Sequence, residues 1–176
     1  MVMEKTIDKI PSDSAALIEF GGNDVDYPWS CIADRPENKH DPNVVPERFV
    51  KNIKSMVKLL TSRGVVPLLA TLPPILSKQY FDKFSEHIPN SENILIWLGD
   101  IENIYRSHAF YNELIKKAAA SLSCRLIDIR SAFTKQKDYT QFISRDGIHP
   151  NEQGHELMTA VYLDYAQKNL PSLNVV

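Results

Sequence analysis

An aspartate and a histidine three residues apart are the first candidates for chemistry in this sequence. Asp146 and His149 lie in the segment DGIHPN, where Pro150 restrains the turn. Imidazole exchanges protons near neutral pH, and a carboxylate on its other nitrogen fixes its tautomer and stabilises the imidazolium. Because residues three apart can face each other in a turn that opens a helix, the pair is predicted to act as a general base with its orienting acid. A helix-capping pair is the alternative interpretation.

The segment Gly21-Gly22-Asn23-Asp24 is the second candidate. Glycine is scarce in this chain, and four of its six glycines fall in or beside these two segments (Gly21, Gly22, Gly147, Gly154). Glycines let the backbone turn sharply and leave room for a ligand. The Asn23 side-chain amide is a neutral donor, which suits a developing oxyanion. A simple turn former is the alternative for Asn23, and Asp24 is expected to tie the loop together.

The elements that must position these segments follow from the hydrophobic pattern. Short apolar runs predict strands over residues 15–20, 65–70 and 125–129. Apolar stripes predict helices over 46–63, 78–87, 91–98 and 101–122, and a last helix after Pro150. The run ILIW within 91–98 also fits a strand. Residues 3–10 are interpreted as the end of a helix, and 21–45 as a long polar loop.

Strands that alternate with amphipathic helices indicate an α/β fold, with a parallel sheet and helices on both faces. No repeat or linker interrupts the pattern, so residues 1–176 are predicted to form one domain. In open α/β sheets the site lies beyond the carboxyl ends of the strands, where both glycine segments fall. Three strands are fewer than the roughly five that are common in such sheets. They would leave an exposed edge.

Composition excludes several classes of function. The net charge of −2 argues against a protein held to nucleic acid by phosphate contacts. No apolar run approaches the roughly 20 residues that span a bilayer, and the first ten residues are not a secretory signal. Cys31 and Cys124 are predicted to be reduced thiols of a cytoplasmic protein, with one long-range disulfide as the alternative. No zinc ligand set is present.

The GGND and DGIHPN blocks together resemble those of the SGNH/GDSL hydrolase family, over nearly the whole chain from about residue 13. The resemblance implies a flavodoxin-like three-layer α/β/α sandwich that cleaves small-molecule esters, including lipids and acetylated sugars. It implies Asn23 in the oxyanion hole, with Gly21 as the glycine of that block. It also implies Asp146 and His149 as the acid and base of a triad. No metal or organic cofactor is implied.

The family's Gly-Asp-Ser block, which carries the nucleophile, is not found before GGND. Ser14 is a poor substitute because it precedes a six-residue strand, which places it roughly 20 Å from the strand's exit. A nucleophile must lie within about 3.2 Å of its base. The chain is therefore expected to begin in the helix before the family's third strand and to be a weak or inactive esterase alone.

Three hypotheses account for this combination of blocks. In the first, the chain is the greater part of an ester hydrolase whose front, with the nucleophile, lies outside this sequence. In the second, it is a natural non-catalytic relative that keeps the crevice as a binding module. In the third, a partner chain or a swapped copy covers the exposed sheet edge.

Other polar and aromatic residues receive structural interpretations. Tyr27 and Trp29 either line a substrate pocket or anchor the long loop. Glu19 is interpreted as a satisfied or edge-facing carboxylate, and Gly154 as a close-packing position. The remaining histidines are predicted at the surface (His40, His87, His108, His155).

Overall fold

A computed structural model describes residues 10–11 and 14–170 of the chain. Within them lie three strands: β1 (Ala15–Ile18), β2 (Val66–Ala70) and β3 (Arg125–Ile127). The described helices are α1 (Gly22–Val25), α2 (Trp29–Asp34), α3 (Pro46–Ser62), α4 (Ser77–Ser85), α5 (Glu92–Leu98), α6 (Asn103–Ser121), α7 (Ile129–Thr134) and α8 (Glu152–Asn169). A 3₁₀ turn covers Tyr139–Phe142.

The strands form one parallel sheet in the order β1-β2-β3, with Leu17 opposite Leu68 and Leu69 opposite Leu126. The central strand contains Pro67, which lacks a backbone donor. In β2 the backbone N–H groups of odd-numbered residues point towards β3. The hydrogen bond from Thr71 N–H to the Ile127 carbonyl, directly after β2, follows this alternation. Pairing with β3 starts only at Leu68. Pro67 therefore lies just before the ladder on that side and costs it no hydrogen bond.

Helices cover both faces of the sheet, as the α/β expectation requires. On one face, Ile18 and Leu69 pack with α3 and α6, and Phe49 of α3 is fully buried there. On the other face, Ala70 and Ile127 pack with α7 and α8. The spacing of Phe49, Ile53, Met56 and Leu60 predicts one apolar stripe on α3. Phe49, Ile53 and Leu60 are buried as predicted, whereas Met56 is only partly buried and Val57 is buried instead.

The α8 face of the sheet is thinly covered beside β1. Side chains alternate across a strand, so Leu17 and Val66 point away from the α3–α6 layer. Leu17 is 46% exposed and Val66 is 36% exposed, although both belong to the sheet. Among the described strands, β1 is also an edge.

Several elements differ from the sequence-based expectation. The predicted loop 21–45 contains the short helices α1 and α2, and the polar stretch after β3 contains α7 and the 3₁₀ turn. The run ILIW is helical, as part of α5. Strand β1 ends at Ile18, two residues earlier than expected. The helix predicted over residues 3–10 falls almost entirely outside the described residues.

Candidate active site

Asp146 and His149 form a hydrogen-bonded pair. The His149 ring donates from Nδ1 to Asp146 Oδ2 at 2.8 Å, because an ionised carboxylate can only accept. The other carboxylate oxygen accepts from the backbone N–H groups of Ile148 and His149, each at 3.0 Å. Partial burial opposes ionisation of Asp146, but these hydrogen bonds outweigh it and lower its pKa. Nδ1 being occupied, Nε2 of the exposed His149 ring is left as the basic nitrogen.

The loop that carries this pair is closed on itself and fastened to two helices. Ile143 and Pro150 form an antiparallel bridge, and Ser144 N–H donates to the His149 carbonyl at 2.7 Å. On the α4 side, Leu76 N–H donates to the Gly147 carbonyl at 2.7 Å. At its far end, the Asn151 side chain caps α8 by accepting from Gly154 N–H at 3.0 Å.

Gly154 is a close-packing position, as predicted. A Cβ atom on Gly154 would lie 2.3 Å from the Phe142 carbonyl oxygen, which leaves no room for a side chain. The first turn of α8 therefore packs directly against the backbone of the 3₁₀ turn.

The GGND segment turns at Gly21 and then opens α1. Gly21 has φ of +137°, and a Cβ atom there would lie 3.2 Å from the Phe49 ring. The segment is tied to the end of the long loop, because Asn43 Nδ2 donates to the Asn23 carbonyl and Val44 N–H donates to the Asp24 carbonyl, both at 2.9 Å. The exposed Asn23 side chain is thus carried on an anchored turn.

A cleft of about 600 Å³ brings the two segments together. Gly21 and Asn23 line one part of it and His149 another, with Asp146 held behind His149. Ser14 lies elsewhere: its carbonyl accepts from Val66 N–H at the start of β2, whereas Asn23 follows the end of β1. Its exclusion as a nucleophile therefore agrees with the sheet register.

Charged groups at the cleft are few. Its described lining includes no Lys or Arg. Glu19, at the cleft wall, is exposed and accepts from the Tyr162 hydroxyl at 2.6 Å, in keeping with a satisfied carboxylate. An oxyanion in this cleft would therefore depend on neutral donors such as the Asn23 amide.

His108 is buried, so its predicted surface position is wrong. It is only 4% exposed and lines the cleft from α6. Arg130 Nη1 lies 3.2 Å from His108 Nδ1, and a guanidinium only donates, so Nδ1 is an acceptor. Burial, with a smaller contribution from the Arg130 charge, lowers the pKa of His108 to about 3. The ring is therefore neutral, with its proton on Nε2. The other histidines predicted at the surface are at least partly exposed (His40, His87, His155).

A second cavity, of about 210 Å³, adjoins the cleft and is called the aromatic pocket here. Four aromatic side chains and one carboxylate line it (Asp26, Tyr27, Trp29, Tyr80, Trp97). Trp29 is also an anchor: it is 7% exposed, stacks on Phe84 at 4.5 Å between ring centroids, and donates to Asp26 Oδ1 at 2.6 Å. Trp29 therefore lines this cavity and also anchors the long loop.

The cysteines are free thiols. Cys31 is exposed, and Cys124 Sγ donates to the Pro67 carbonyl at 3.4 Å. Burial raises the pKa of the Cys124 thiol. Neither thiol lines the cleft or the aromatic pocket. Across the described residues, no three His, Cys, Asp or Glu side chains converge into a set that could hold a metal ion.

Comparison with known proteins defines the class of protein. The profile of the GDSL-like lipase/acylhydrolase family matches residues 4–157, so the chain belongs to this family. No curated protein sequence matches it significantly. In the part of the chain that the structure describes, no helix is long and apolar enough to cross a membrane.

Solved structures of family enzymes share the fold at low sequence identity. The lipase/acylhydrolase from Enterococcus faecalis is 18% identical, with a TM-score of 0.62, over 95% of this chain and 67% of that one. LAE5, an α/β hydrolase from the metagenome of Lake Arreo, is 22% identical, with a TM-score of 0.61, over 93% and 64%. Axe2, an acetylxylan esterase from Geobacillus stearothermophilus, is 20% identical, with a TM-score of 0.59, over 93% and 65%. This chain thus spans about two-thirds of their length.

Proposed function

We propose that this chain carries the acid, the base and one oxyanion donor of a carboxylic ester hydrolase, and that the attacking hydroxyl comes from outside its 176 residues. The observation that carries the proposal is the cleft itself, which Asn23 and His149 both line, with Asp146 hydrogen-bonded to His149. In this mechanism His149 Nε2 removes the proton of the incoming serine, and Asp146 stabilises the imidazolium. The Asn23 amide donates to the tetrahedral oxyanion at the turn that Gly21 shapes.

The substrate in this proposal is a small-molecule ester, and the mechanism uses neither a metal nor an organic cofactor. Substrate binding needs no other partner in this proposal. Neither nucleic acid nor a membrane is a proposed partner. The net charge of −2 supports this view of partners.

The residues that line the cleft support the proposal that the attacking hydroxyl comes from outside this chain. Its described lining contains no Ser, Thr or Cys side chain. In triad enzymes, loss of the serine costs about 10⁶ in kcat and leaves roughly 10³–10⁴ over water. The chain alone is therefore proposed to be a very weak esterase.

Hydrolysis of p-nitrophenyl acetate tests the proposal. The chain is compared with a form that is extended by the polypeptide encoded upstream of Met1, where that polypeptide contains Gly-Asp-Ser. The extended form should be faster by several orders of magnitude, and His149→Ala should abolish the gain while the exposed control His87→Ala should not. Asn23→Ala should cost about 10²–10³ in kcat. An extended, Gly-Asp-Ser-containing form that is no faster would refute the mechanism.

A non-catalytic binding module is the second candidate function. The same absence of a nucleophilic side chain from the described cleft lining favours it. This candidate predicts no Gly-Asp-Ser coding sequence upstream. It also predicts that an ester shifts the His149 ring resonances in an NMR titration without being hydrolysed.

The thinly covered sheet beside β1 suggests how a second chain could take part. Leu17 and Val66 present apolar area where a further element could pack. We propose that a second copy of the chain covers this edge. Light scattering should then give a dimer mass that Leu17→Lys reduces to that of a monomer, whereas a monomeric unmodified protein would contradict the idea.

A further inference from the structure

His108 lies where the cleft and the aromatic pocket meet, and the mechanism proposed above gives it no role. Gly22, His108 and Ile148 line both cavities. Gly22 belongs to the GGND segment and opens α1, and Ile148 precedes His149 in the loop of the acid–base pair. Helix α1 also contacts α6, which carries His108. The His108 ring therefore lies beside both segments that the mechanism uses.

Two donors decide which ring nitrogen of His108 carries the proton. Arg130 Nη1 lies 3.2 Å from Nδ1, and a guanidinium can only donate. Asn112 Oδ1 accepts from Leu72 N–H at 2.7 Å, so the Asn112 amide nitrogen is the group that points to His108. It donates to the His108 carbonyl at 3.0 Å and lies 3.5 Å from Nδ1. Because Nδ1 faces donors only from these two side chains, it accepts, and the ring proton of the neutral imidazole is on Nε2.

A buried positive charge keeps this ring neutral. Arg130 is 8% exposed, and its guanidinium lies over the Tyr105 ring, 4.7 Å from the ring centroid. Its Nη2 has no hydrogen-bond partner within the described part of the chain. A second positive charge on the buried His108 would be desolvated and repelled by Arg130. An incompletely paired, buried guanidinium costs stability, and such groups occur where a fold holds a functional side chain in place.

The Nε2–H group of His108 has no acceptor among the described residues. Of the described buried side-chain nitrogen and oxygen atoms that lack a partner, only Arg130 Nη2 is also sealed from solvent. His108 Nε2 therefore opens onto the cavities that this residue lines. A ligand that supplies an acceptor there would relieve the cost of burying an unsatisfied donor.

An ester oxygen fits this donor. It accepts without donating, and a carbonyl oxygen gains negative charge when the ester is attacked, which a neutral N–H stabilises. Side-chain donors in the described cleft lining are few, and all but one of them are exposed: Asn23, His149 and His155 are exposed and His108 is buried. An organic ammonium ion has no lone pair for Nε2–H, and the charge of Arg130 repels it.

We propose that His108 is a further substrate-binding residue whose Nε2–H donates to an oxygen atom of the ester, and that Arg130 is the positioning residue that holds the proton there. The identity of the acceptor as an ester oxygen rests on the proposed function. Binding of a carbonyl compound at His108 needs no nucleophile. It is therefore measurable in a chain that hydrolyses nothing.

NMR of the ring nitrogens tests the donor in the unmodified protein. The ¹⁵N signals of His108, assigned by their loss in His108→Gln, should show Nε2 protonated and Nδ1 unprotonated at pH 7. Titration with N,N-dimethylacetamide, an amide that resists hydrolysis, should shift the Nε2 signal saturably. Tetramethylammonium chloride, which has no acceptor on its cation, should not. A proton on Nδ1, or a saturable shift no larger with the amide than with the ammonium salt, would overturn the proposal.

Two variants of His108 separate the donor from the bulk of the side chain. By saturation-transfer NMR of the ligand, His108→Leu should bind dimethylacetamide about threefold to tenfold more weakly. His108→Gln keeps an N–H donor and should restore most of the affinity, which a purely structural role would not predict. The exposed control His87→Leu should leave binding unchanged. Equal affinity of His108→Leu and the unmodified protein would contradict the role, and the titration above decides the matter where His108→Leu does not fold.

The variant Arg130→Met tests the positioning role. It removes the donor to Nδ1, so the His108 ring should show a mixture of tautomers and dimethylacetamide should bind more weakly. In a His108→Leu background the same change should weaken binding no further, because Arg130 acts through the ring. The control Arg106→Met, on α6 but paired with Asp100 at the surface, should leave the ring signals unchanged. A ring protonated only on Nε2, with unchanged affinity, in Arg130→Met would refute the positioning role.

The extended form separates failure of this inference from failure of the proposed function. In that form His108→Leu should lower kcat/KM for p-nitrophenyl acetate about threefold to tenfold, and His108→Gln should restore it. Hydrolysis that His108→Leu leaves unchanged, with no response of the ring to dimethylacetamide, would refute the His108 site alone. A response of the ring without hydrolysis would refute only the ester hydrolase.

Discussion

Replacement of Gly147 by alanine probes how the loop of the Asp146–His149 pair is held. Gly147 has φ of +76°, and a Cβ atom there would lie 2.4 Å from the Tyr80 backbone nitrogen and 2.7 Å from the Leu76 carbonyl oxygen. Both are backbone atoms of the α4 region, so no side-chain rotation can make room. Gly99 provides a matched control, because it has φ of +68° and a Cβ atom there would meet nothing within 4 Å.

Both variants lose unfolding free energy for one common reason, and Gly147→Ala loses more for two further reasons. A positive φ costs an alanine roughly 1–2 kcal/mol, and this applies to both. In Gly147→Ala the loop must also move away from α4, at about 1–3 kcal/mol for overpacking. Loss of the bond from Leu76 N–H to the Gly147 carbonyl adds about 1–3 kcal/mol. We expect Gly147→Ala to lose about 2–6 kcal/mol more unfolding free energy than Gly99→Ala.

Urea unfolding followed by circular dichroism measures this difference. The midpoints and slopes of both variants are compared with those of the unmodified protein, and a constant slope shows that stability itself has changed. Losses that agree within about 0.5 kcal/mol would refute the argument from close backbone approach. Glycine would then be needed at Gly147 only for its φ angle.

Three further predictions concern the site and its supports. Gly21→Ala should lower the free energy of unfolding, measured in urea, by about 1–3 kcal/mol, because φ is +137° and the new Cβ atom would lie 3.2 Å from the Phe49 ring. The control Gly22→Ala places its Cβ atom in open space and should change this free energy by less than about 1 kcal/mol. Equal losses in the two variants would contradict the prediction. The pKa of His108 is near 6.5 in the unfolded chain and about 3 in the folded protein, where burial lowers it. Between pH 7 and pH 5 only the unfolded chain therefore binds a proton at His108, and the free energy of unfolding should drop by about 2 kcal/mol. Unfolding measured across this range should show a smaller drop in His108→Gln but not in His87→Gln. Burial of Asp128 would raise its pKa, but its hydrogen bonds outweigh burial and lower the pKa, so its ionised form stabilises the fold above the unfolded pKa. Asp128→Asn should lower the free energy of unfolding by about 1–3 kcal/mol at pH 7. Thermal melts should show this loss of stability vanishing as pH falls through the folded pKa.

Elements with a strong hydrophobic period were predictable from the sequence. Helices α3 and α6 bury apolar residues of their predicted stripes, as Phe49 and Ile53 of α3 illustrate, whereas Leu17 and Val66 of the strands stay partly exposed. The contact between Asp146 and His149 was also predictable, because it needs only local turn geometry. Such features depend on residues that are close in sequence or on a long repeated pattern.

The short helices α1 and α2 could not be read from local sequence. Helix α1 has four residues, too few for an apolar stripe, and α2 begins after Pro28 with six. Isolated helices of this length are unstable in water. Trp29, Ile32 and Ala33 are buried in a cluster with residues of α5, which come some 60 positions later. Tertiary packing therefore decides their structure.

The burial of His108 had a signal in the sequence that residue type obscured. Ile104, His108, Tyr111 and Ile115 are spaced four, three and four apart, and all are buried on one face of α6. Its polar partner, Arg130, comes from α7 and could not be assigned from spacing. A histidine within an apolar helical stripe thus indicates a buried polar group. Which group satisfies it depends on the fold.

The closed loop between Ile143 and Pro150 has a consequence for how such a protein can diversify. Its ends are bridged, its middle is fastened to α4, and α8 begins directly after it. An insertion or deletion inside it would displace the His149 ring from Asn23, so its length is not free to vary. The segment from Asp26 to residue 45 supplies walls of the aromatic pocket and is closed at its end by one side chain and two backbone bonds. Changes of chain length are best tolerated in its largely exposed residues 34–41, because Trp29, Ile32 and Ala33 before them are buried and the bonds at Asn43 and Val44 follow them.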